Sequence, residues 1–293
     1  MGDDAVKFGI LFAYWTHDWT GDYRYYLKKA KELGLDILEI AAGDLLQMTD
    51  SQLNRLKMLA DELDLEISCN IGPAKQYDVA SGDPLIRANG IRFLTSIMER
   101  MEQLGSHTLA GVMYTYWPND FTDLDKSALW TRGVESCAEM GRTAQQLGID
   151  LCLEVVNRYE THILNTAEEA VQFCREVGNP NVKILLDTFH MNIEEDSIAK
   201  AIHCAGDLLG HLHVGEGNRR MPGQGSLPWA EIGTALRGIG YNGSVVMEPF
   251  VLPGGQVGKD IKVWRDLSGG ADEEKLDRDA KIALSVLKQN FLR

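Results

Sequence analysis

Along this chain, short runs rich in β-branched and apolar residues alternate with longer stretches in which apolar positions recur every three or four residues. The first pattern reads as strands and the second as amphipathic helices. Eight strands are predicted: Lys7 to Ala13, Asp36 to Ala41, Glu66 to Ile71, His107 to Met113, Asp150 to Val155, Val182 to Asp187, Leu209 to Val214 and Gly243 to Glu248. Helical periodicity is clearest in TDSQLNRLKMLADELDL and PLIRANGIRFLTSIMERMEQLG. Such alternation builds a parallel sheet with right-handed crossovers, and eight units close it into a (β/α)₈ barrel of the α/β class. No low-complexity linker interrupts the chain, so residues 1–293 are expected to form one catalytic-sized domain. The acidic stretch ADEEKLDRDAK reads as the solvated face of a last helix.

Composition narrows the partners. With 44% hydrophobic and 25% charged residues the chain can bury one large core, and barrels of about 250 residues commonly form one domain. A net charge of −14 repels phosphate backbones and anionic lipid, which argues against nucleic acid and membrane surfaces. The five cysteines are scattered and lack a C-x-x-C pair, the usage of reduced core thiols in a cytoplasmic protein. No segment approaches the roughly 18 uninterrupted apolar residues of a membrane span. The N-terminus, MGDDAVKFG, is acidic where a leader peptide is basic, and Val6 stands where a myristoylation motif has Ser or Thr.

Four of the strand runs each carry one good metal ligand. LCLEVVN holds Glu154, KILLDTFH holds Asp187, LGHLHVGE holds His213 and SVVMEPF holds Glu248. This oxygen-rich set suits Mn²⁺ or Mg²⁺ better than thiolates would. The four stand about 30 residues apart, the length of one strand-plus-helix unit, and a barrel assembles its active site from the C-terminal ends of its strands. Any one of them could instead cap a helix or pair with an arginine, but four in consecutive units point to one site. His211 shares a strand face with His213. The residue nearer the strand end, His213, is the expected ligand, and His211 the expected hydrogen-bonded barrel histidine. Glu154 and Glu248, from strands five and eight, can flank a bound molecule while Asp187 and His213 hold a metal beneath it. A divalent ion chelated by a hydroxyl and its neighbouring carbonyl acidifies the C–H bond between them and stabilises an enediolate. One base then gives an isomerase, whereas two carboxylates on opposite faces give an epimerase.

The strings LEVVNRYE, LLDTFHMNIEED, GHLHVGEGNRR and VVMEPF, with FGILFAYWTHDW, TYWPND and IKVWRDLSGGAD, closely resemble the D-tagatose 3-epimerase family, including its D-psicose (D-allulose) 3-epimerase members. The likeness covers nearly the whole chain. It implies a (β/α)₈ TIM barrel of the xylose-isomerase-like kind, dependent on Mn²⁺ and tolerant of Mg²⁺ or Co²⁺, that inverts C3 of free ketohexoses through a cis-enediolate. Homodimers or homotetramers are implied as well. Carried onto matching positions, the metal ligands are Glu154, Asp187, His213 and Glu248, with Glu154 and Glu248 doubling as the acid–base pair. Polar sugar contacts fall on Glu160, His190 and Arg219, which would hold O1, O2 and O3. Apolar contacts to the far end of the sugar fall on Trp19, Trp117 and Phe250. One position departs: relatives commonly have tyrosine where this chain has Leu11, which bears on the choice among ketohexoses and leaves the chemistry untouched.

Plainer roles exist for several of these residues. Glu160 could start a helix, Arg219 could pair with Glu216, and the tryptophans could be core. The glycine-rich segments MPGQG at 221–225 and PGGQVG at 253–258 follow strands seven and eight, where barrels often grip phosphate. A phosphosugar epimerase or an aldose–ketose isomerase of the same superfamily is therefore the alternative. A retaining glycosidase would leave Asp187 and His213 idle, and a metal-dependent nuclease would need a basic surface.

Overall fold

The computed structural model of the chain describes residues 6–292; residues 1–5, the start of the acidic segment weighed above as a leader, and Arg293 lie outside it. The strands are β1 (Lys7–Leu11), β2 (Ile37–Ala41), β3 (Glu66–Ile71), β4 (Thr108–Gly111), β5 (Asp150–Val155), β6 (Val182–Asp187), β7 (Leu209–Val214) and β8 (Ser244–Met247). Each pairs in parallel with the next, and β8 returns to β1, giving the closed eight-stranded barrel expected. The α-helices of the described residues are α1 (Tyr23–Leu33), α2 (Asp50–Leu63), α3 (Pro84–Leu104), α4 (Lys126–Gln146), α5 (Ala167–Val177), α6 (Thr188–Glu194), α7 (Ile198–Ala205), α8 (Trp229–Gly238), α9 (Gly255–Asp260) and α10 (Glu273–Phe291). No helix among these residues is long and apolar enough to cross a membrane.

Local chemistry explains the boundaries. Thr49 caps α2 in a reciprocal capping box with Gln52. Asp83 caps α3, Pro84 occupies its first turn, and Gly105 closes it at φ 79°. The buried stripes of these helices, Leu53, Leu56 and Ala60 on α2 and Leu94, Ile97, Met98 and Met101 on α3, belong to the main core. Each fully buried Leu, Ile or Met contributes about 1.5–3 kcal/mol relative to exposure, which far exceeds the tenths of a kcal/mol that separate most helix propensities.

Four strands, β3, β5, β6 and β7, coincide with the sequence reading, while the other four are shorter. The run after Leu11 stays apolar because Phe12, Ala13 and Tyr14 form a buried 3₁₀ turn, and apolar periodicity does not separate a buried turn from a strand. β4 stops at Gly111, whose φ of 118° bends the chain out of the sheet; a Cβ there would meet the Ile71 carbonyl oxygen at 2.1 Å. The cysteines are free, but Cys204 is exposed and so is not the core thiol expected. The acidic stretch of α10 also does more than face water. Asp277 accepts from Trp15 Nε1 (2.9 Å) and Lys29 Nζ (2.7 Å), and Lys29 also pairs with Glu273 at 2.6 Å. These contacts fasten the last helix to α1.

Gly111→Ala, which combines a disallowed φ with a backbone clash, is expected to cost about 3 kcal/mol of stability. Gly148→Ala, at φ 68° with open space around it, should cost only about 1 kcal/mol. Urea denaturation of the two variants checks this, and equal losses would show that the close approach at Gly111 carries no energetic weight.

Candidate active site

The C-terminal ends of four adjacent strands bring the expected ligands to one level. Asp187 closes β6 and is in register with His213 of β7. His213 is in turn in register with Val246 of β8, and the Glu248 N–H donates to the Val214 carbonyl at 3.0 Å. Glu154 is the penultimate residue of β5. His213 Nδ1 lies 3.6 Å from Glu154 Oε1 and 3.3 Å from Glu248 Oε1. Donor atoms of Glu154, His213 and Glu248 fall within 4.8 Å of one another, as do those of Glu154, Asp187 and His190. Asp187 Oδ1 caps α6 by accepting from the Phe189 N–H at 2.9 Å. Its Oδ2 faces inward, 3.4 Å from Arg219 Nη1 and 3.5 Å from His190 Nε2.

Burial raises the carboxyl of Asp187 to about 8; Arg219 opposes the shift and the neighbouring carboxylates of Glu248 and Glu154 add to it. Burial likewise raises Glu154 to about 7, against the pull of His213. Acidic groups crowded out of water in this way are relieved by a cation. His213 supplies the second sign of a fit: its Nδ1 is buried, has no hydrogen-bond partner, and faces the two glutamates. Burial works against charge on this ring, but the surrounding carboxylates outweigh it and hold its pKa well above the ordinary imidazole value. A proton and a divalent cation therefore compete for the same Nδ1 lone pair. The donor set, carboxylate oxygens plus one imidazole nitrogen, suits a divalent cation of the Mg²⁺ and Mn²⁺ kind.

Glu39 was not anticipated. It is fully buried in β2, and its Oε1 accepts from His213 Nε2 at 2.8 Å. Its Oε2 accepts from Ser68 Oγ at 2.8 Å and lies 3.0 Å from His211 Nε2. His211 is thus a buried barrel histidine in contact with Glu39, but without the hydrogen bond expected of it. Burial opposes ionisation of Glu39, but the imidazoles of His213 and His211 hold its pKa well below the ordinary carboxylate range. The available signal was one acid within the apolar run ILEIA.

The three expected polar contacts gather beside this centre. His190 Nδ1 accepts from the Asn157 backbone N–H (3.2 Å) and faces Asn157 Nδ2 (2.8 Å), so the ring proton sits on Nε2, toward Asp187 and Glu154. Burial lowers the His190 pKa to about 4, keeping the ring neutral near neutral pH. Burial would raise Glu160, but His190 and Arg219 hold it lower, and it accepts from Trp117 Nε1 at 2.9 Å and Asn157 Nδ2 at 3.0 Å. Arg219 lies in the left-handed region at φ 64°. Its guanidinium stacks 3.6 Å from the Phe189 ring centroid and sits 3.5 Å from Glu248 and 3.6 Å from Glu160. It does not pair with the Glu216 carboxylate, which instead accepts from Gly223 N–H (2.7 Å), Leu227 N–H (3.1 Å) and Trp229 Nε1 (2.7 Å).

In front of these groups opens a cavity of about 430 Å³ whose lining includes Leu11, Trp19, Trp117 and Phe250. Trp19 meets Trp117 and Phe250 edge-on, with centroids 6.1 and 5.9 Å away, and donates to Asp260 at 2.9 Å. The tryptophans are cavity walls rather than core. Two backbone donors in and just after the first glycine-rich segment are used by Glu216, and the second segment opens α9, whose Asp260 lies in the cavity wall.

A family model described as a xylose isomerase-like TIM barrel matches residues 27–267. The D-psicose 3-epimerase of Ruminiclostridium cellulolyticum is 52% identical to the chain over 280 residues, covering 95% of this chain and 96% of the relative. That of Agrobacterium fabrum is 48% identical, covering 96% and 97%. A crystal structure of D-psicose 3-epimerase with D-tagatose from Clostridium cellulolyticum H10 matches with a TM-score of 0.97 at 51% identity, over 98% of this chain and 99% of that one. The chain belongs to the xylose isomerase-like TIM-barrel family and, within it, to the D-tagatose 3-epimerase family of isomerases. Its enzyme type is ketose 3-epimerase, that of the D-psicose 3-epimerases.

Proposed function

We propose that this chain epimerises C3 of free ketohexoses, exchanging D-fructose and D-psicose and also D-tagatose and D-sorbose, with Mn²⁺ held by Glu154, Asp187, His213 and Glu248. Mg²⁺ or Co²⁺ can take its place. The observation that carries this reading is the convergence of Glu154 and Glu248, from β5 and β8, on His213 Nδ1 at 3.6 and 3.3 Å. They meet at the same end of the cavity as Glu160, His190 and Arg219. Support comes also from relatives of full length named D-psicose 3-epimerase, one of them crystallised in the presence of D-fructose at 47% identity and a TM-score of 0.96. Action in the cytoplasm as a single-domain subunit of a homodimer or homotetramer belongs to the same proposal.

Glu154, Asp187, His213 and Glu248 would hold the cation, which would supply the Lewis-acid charge that makes a C–H bond beside a carbonyl easier to ionise. The protein's own groups do the rest. One of Glu154 and Glu248 removes the C3 proton, and the other delivers a proton to the opposite face. His190, with its proton fixed on Nε2, donates to a substrate oxygen. Arg219, held by its stacking on Phe189, adds a fixed positive charge beside the carboxylates, and Glu160 accepts from a sugar hydroxyl. Trp19, Trp117 and Phe250 pack against the remaining carbons and exclude water. At the first glycine-rich loop the Gly223 and Leu227 N–H groups are engaged by Glu216, which closes them to a phosphate ester. A panel of free ketohexoses and their phosphates with Mn²⁺ tests the substrate class; a phosphate ester with the higher kcat/KM would overturn it.

Asp187→Asn and His213→Ala each remove a ligand, so bound Mn²⁺ and activity should fall together. Elemental analysis showing full occupancy in both variants would reject the four-ligand assignment. Turnover in D₂O should place deuterium at C3 of the product, and Glu→Gln at position 154 or 248 should abolish epimerisation, because an amide neither takes up nor supplies that proton at neutral pH. Product that keeps protium at C3 after full conversion would contradict a facing pair of bases. Leu11→Tyr restores a hydroxyl at the cavity wall and should shift the D-psicose to D-tagatose kcat/KM ratio by the equivalent of one hydrogen bond, about 0.5–1.5 kcal/mol. An unchanged ranking would make the position one of packing only.

A further inference from the structure

Glu39 lies outside the expected ligand set, yet both of its oxygens are engaged. Oε1 takes the His213 Nε2–H at 2.8 Å and has Asn70 Nδ2 at 3.5 Å; Oε2 takes the Ser68 hydroxyl at 2.8 Å and has His211 Nε2 at 3.0 Å. Glu39, His211 and His213 are each fully buried. β2 and β7 are not neighbours, since β1 and β8 lie between them in the closed sheet. The Glu39 side chain therefore reaches through the barrel interior to a ring on a non-adjacent strand.

A neutral imidazole carries one N–H, and the partner of one nitrogen decides which nitrogen keeps it. A carboxylate accepts and does not donate, so Glu39 places the proton on Nε2. The lone pair of Nδ1, which has no other partner, is then left facing Glu154 and Glu248. Outer carboxylates of this kind fix the tautomer and ring orientation of metal-bound histidines, and their loss typically lowers metal affinity 10–100-fold.

We infer that Glu39 is a positioning residue that locks His213 as the Nε2–H tautomer and aims its Nδ1 at the divalent cation. The inference rests on the metal-site reading above. Ser68 steadies the second oxygen of Glu39, so its contribution is one step further removed. Glu39→Gln keeps the shape of the side chain but offers an N–H as readily as an oxygen to His213 Nε2, which permits the tautomer with its proton in the cation site.

Titration with Mn²⁺, followed by the electron paramagnetic resonance signal of the free ion, is expected to show Glu39→Gln binding about 10–100-fold more weakly than the wild type. Excess Mn²⁺ should recover turnover, and Glu39→Asp should retain more affinity than Glu39→Gln. A long-range ¹H–¹⁵N spectrum of the Mg²⁺-loaded wild-type enzyme, which needs no variant, should show His213 protonated at Nε2 and not at Nδ1. A folded Glu39→Gln enzyme with wild-type Mn²⁺ affinity, or a proton on Nδ1 in the Mg²⁺-loaded wild type, would overturn the positioning role. A wild-type enzyme that binds no Mn²⁺, or an Asp187→Asn variant with undiminished affinity, would instead overturn the metal reading and with it this inference.

Discussion

Negative charge held away from water at one rim of a closed sheet is the constraint on which the rest of the site depends. Glu39, Glu154, Asp187 and Glu248 are all buried there, and an uncompensated buried carboxylate is costly enough to protonate instead. The structure answers with fixed positive charge and directed donors. Arg219 reaches Asp187, Glu248 and Glu160 at 3.4–3.6 Å, and its left-handed backbone and stacking on Phe189 keep it in place. What remains is a lone pair on His213 amid carboxylate oxygens, a place that suits a divalent cation.

The same logic repeats around the centre. His190 is kept neutral and its proton is directed by Asn157, and Glu216 takes up the backbone donors of Gly223 and Leu227. At His190 that internal hydrogen bond decides which chemistry the cavity can offer. The aromatic wall of Trp19, Trp117 and Phe250 is likewise built from contacts with defined geometry, with Asp260 behind Trp19 as its acceptor.

Local patterning made the scaffold legible. β3, β5, β6 and β7 begin and end where the alternation of apolar runs and polar boundaries puts them, and the capping signals at Thr49, Asp83 and Gly105 start or stop their helices. Glu154, Asp187 and Glu248 were visible as lone candidate ligands in or beside apolar strands, and His213 as one of two histidines on its strand. The misplaced C-terminal ends of β1 and β4 share a cause: Phe12 to Tyr14 and Val112 to Met113 are buried outside the sheet. Burial there depends on what packs against them and not on their own periodicity.

By itself, then, the sequence determined the order and type of elements, the eightfold closure and the strands that carry the proposed ligands, because those follow from hydrophobic period and spacing along the chain. Only the tertiary structure decided which groups meet across the barrel. Glu39 and His213 are 174 residues apart, and Asn157 reaches His190 from a different strand end. No local pattern encodes such pairs. They arise from the register of a closed sheet, which sets the height of each inward side chain and so the partner it finds.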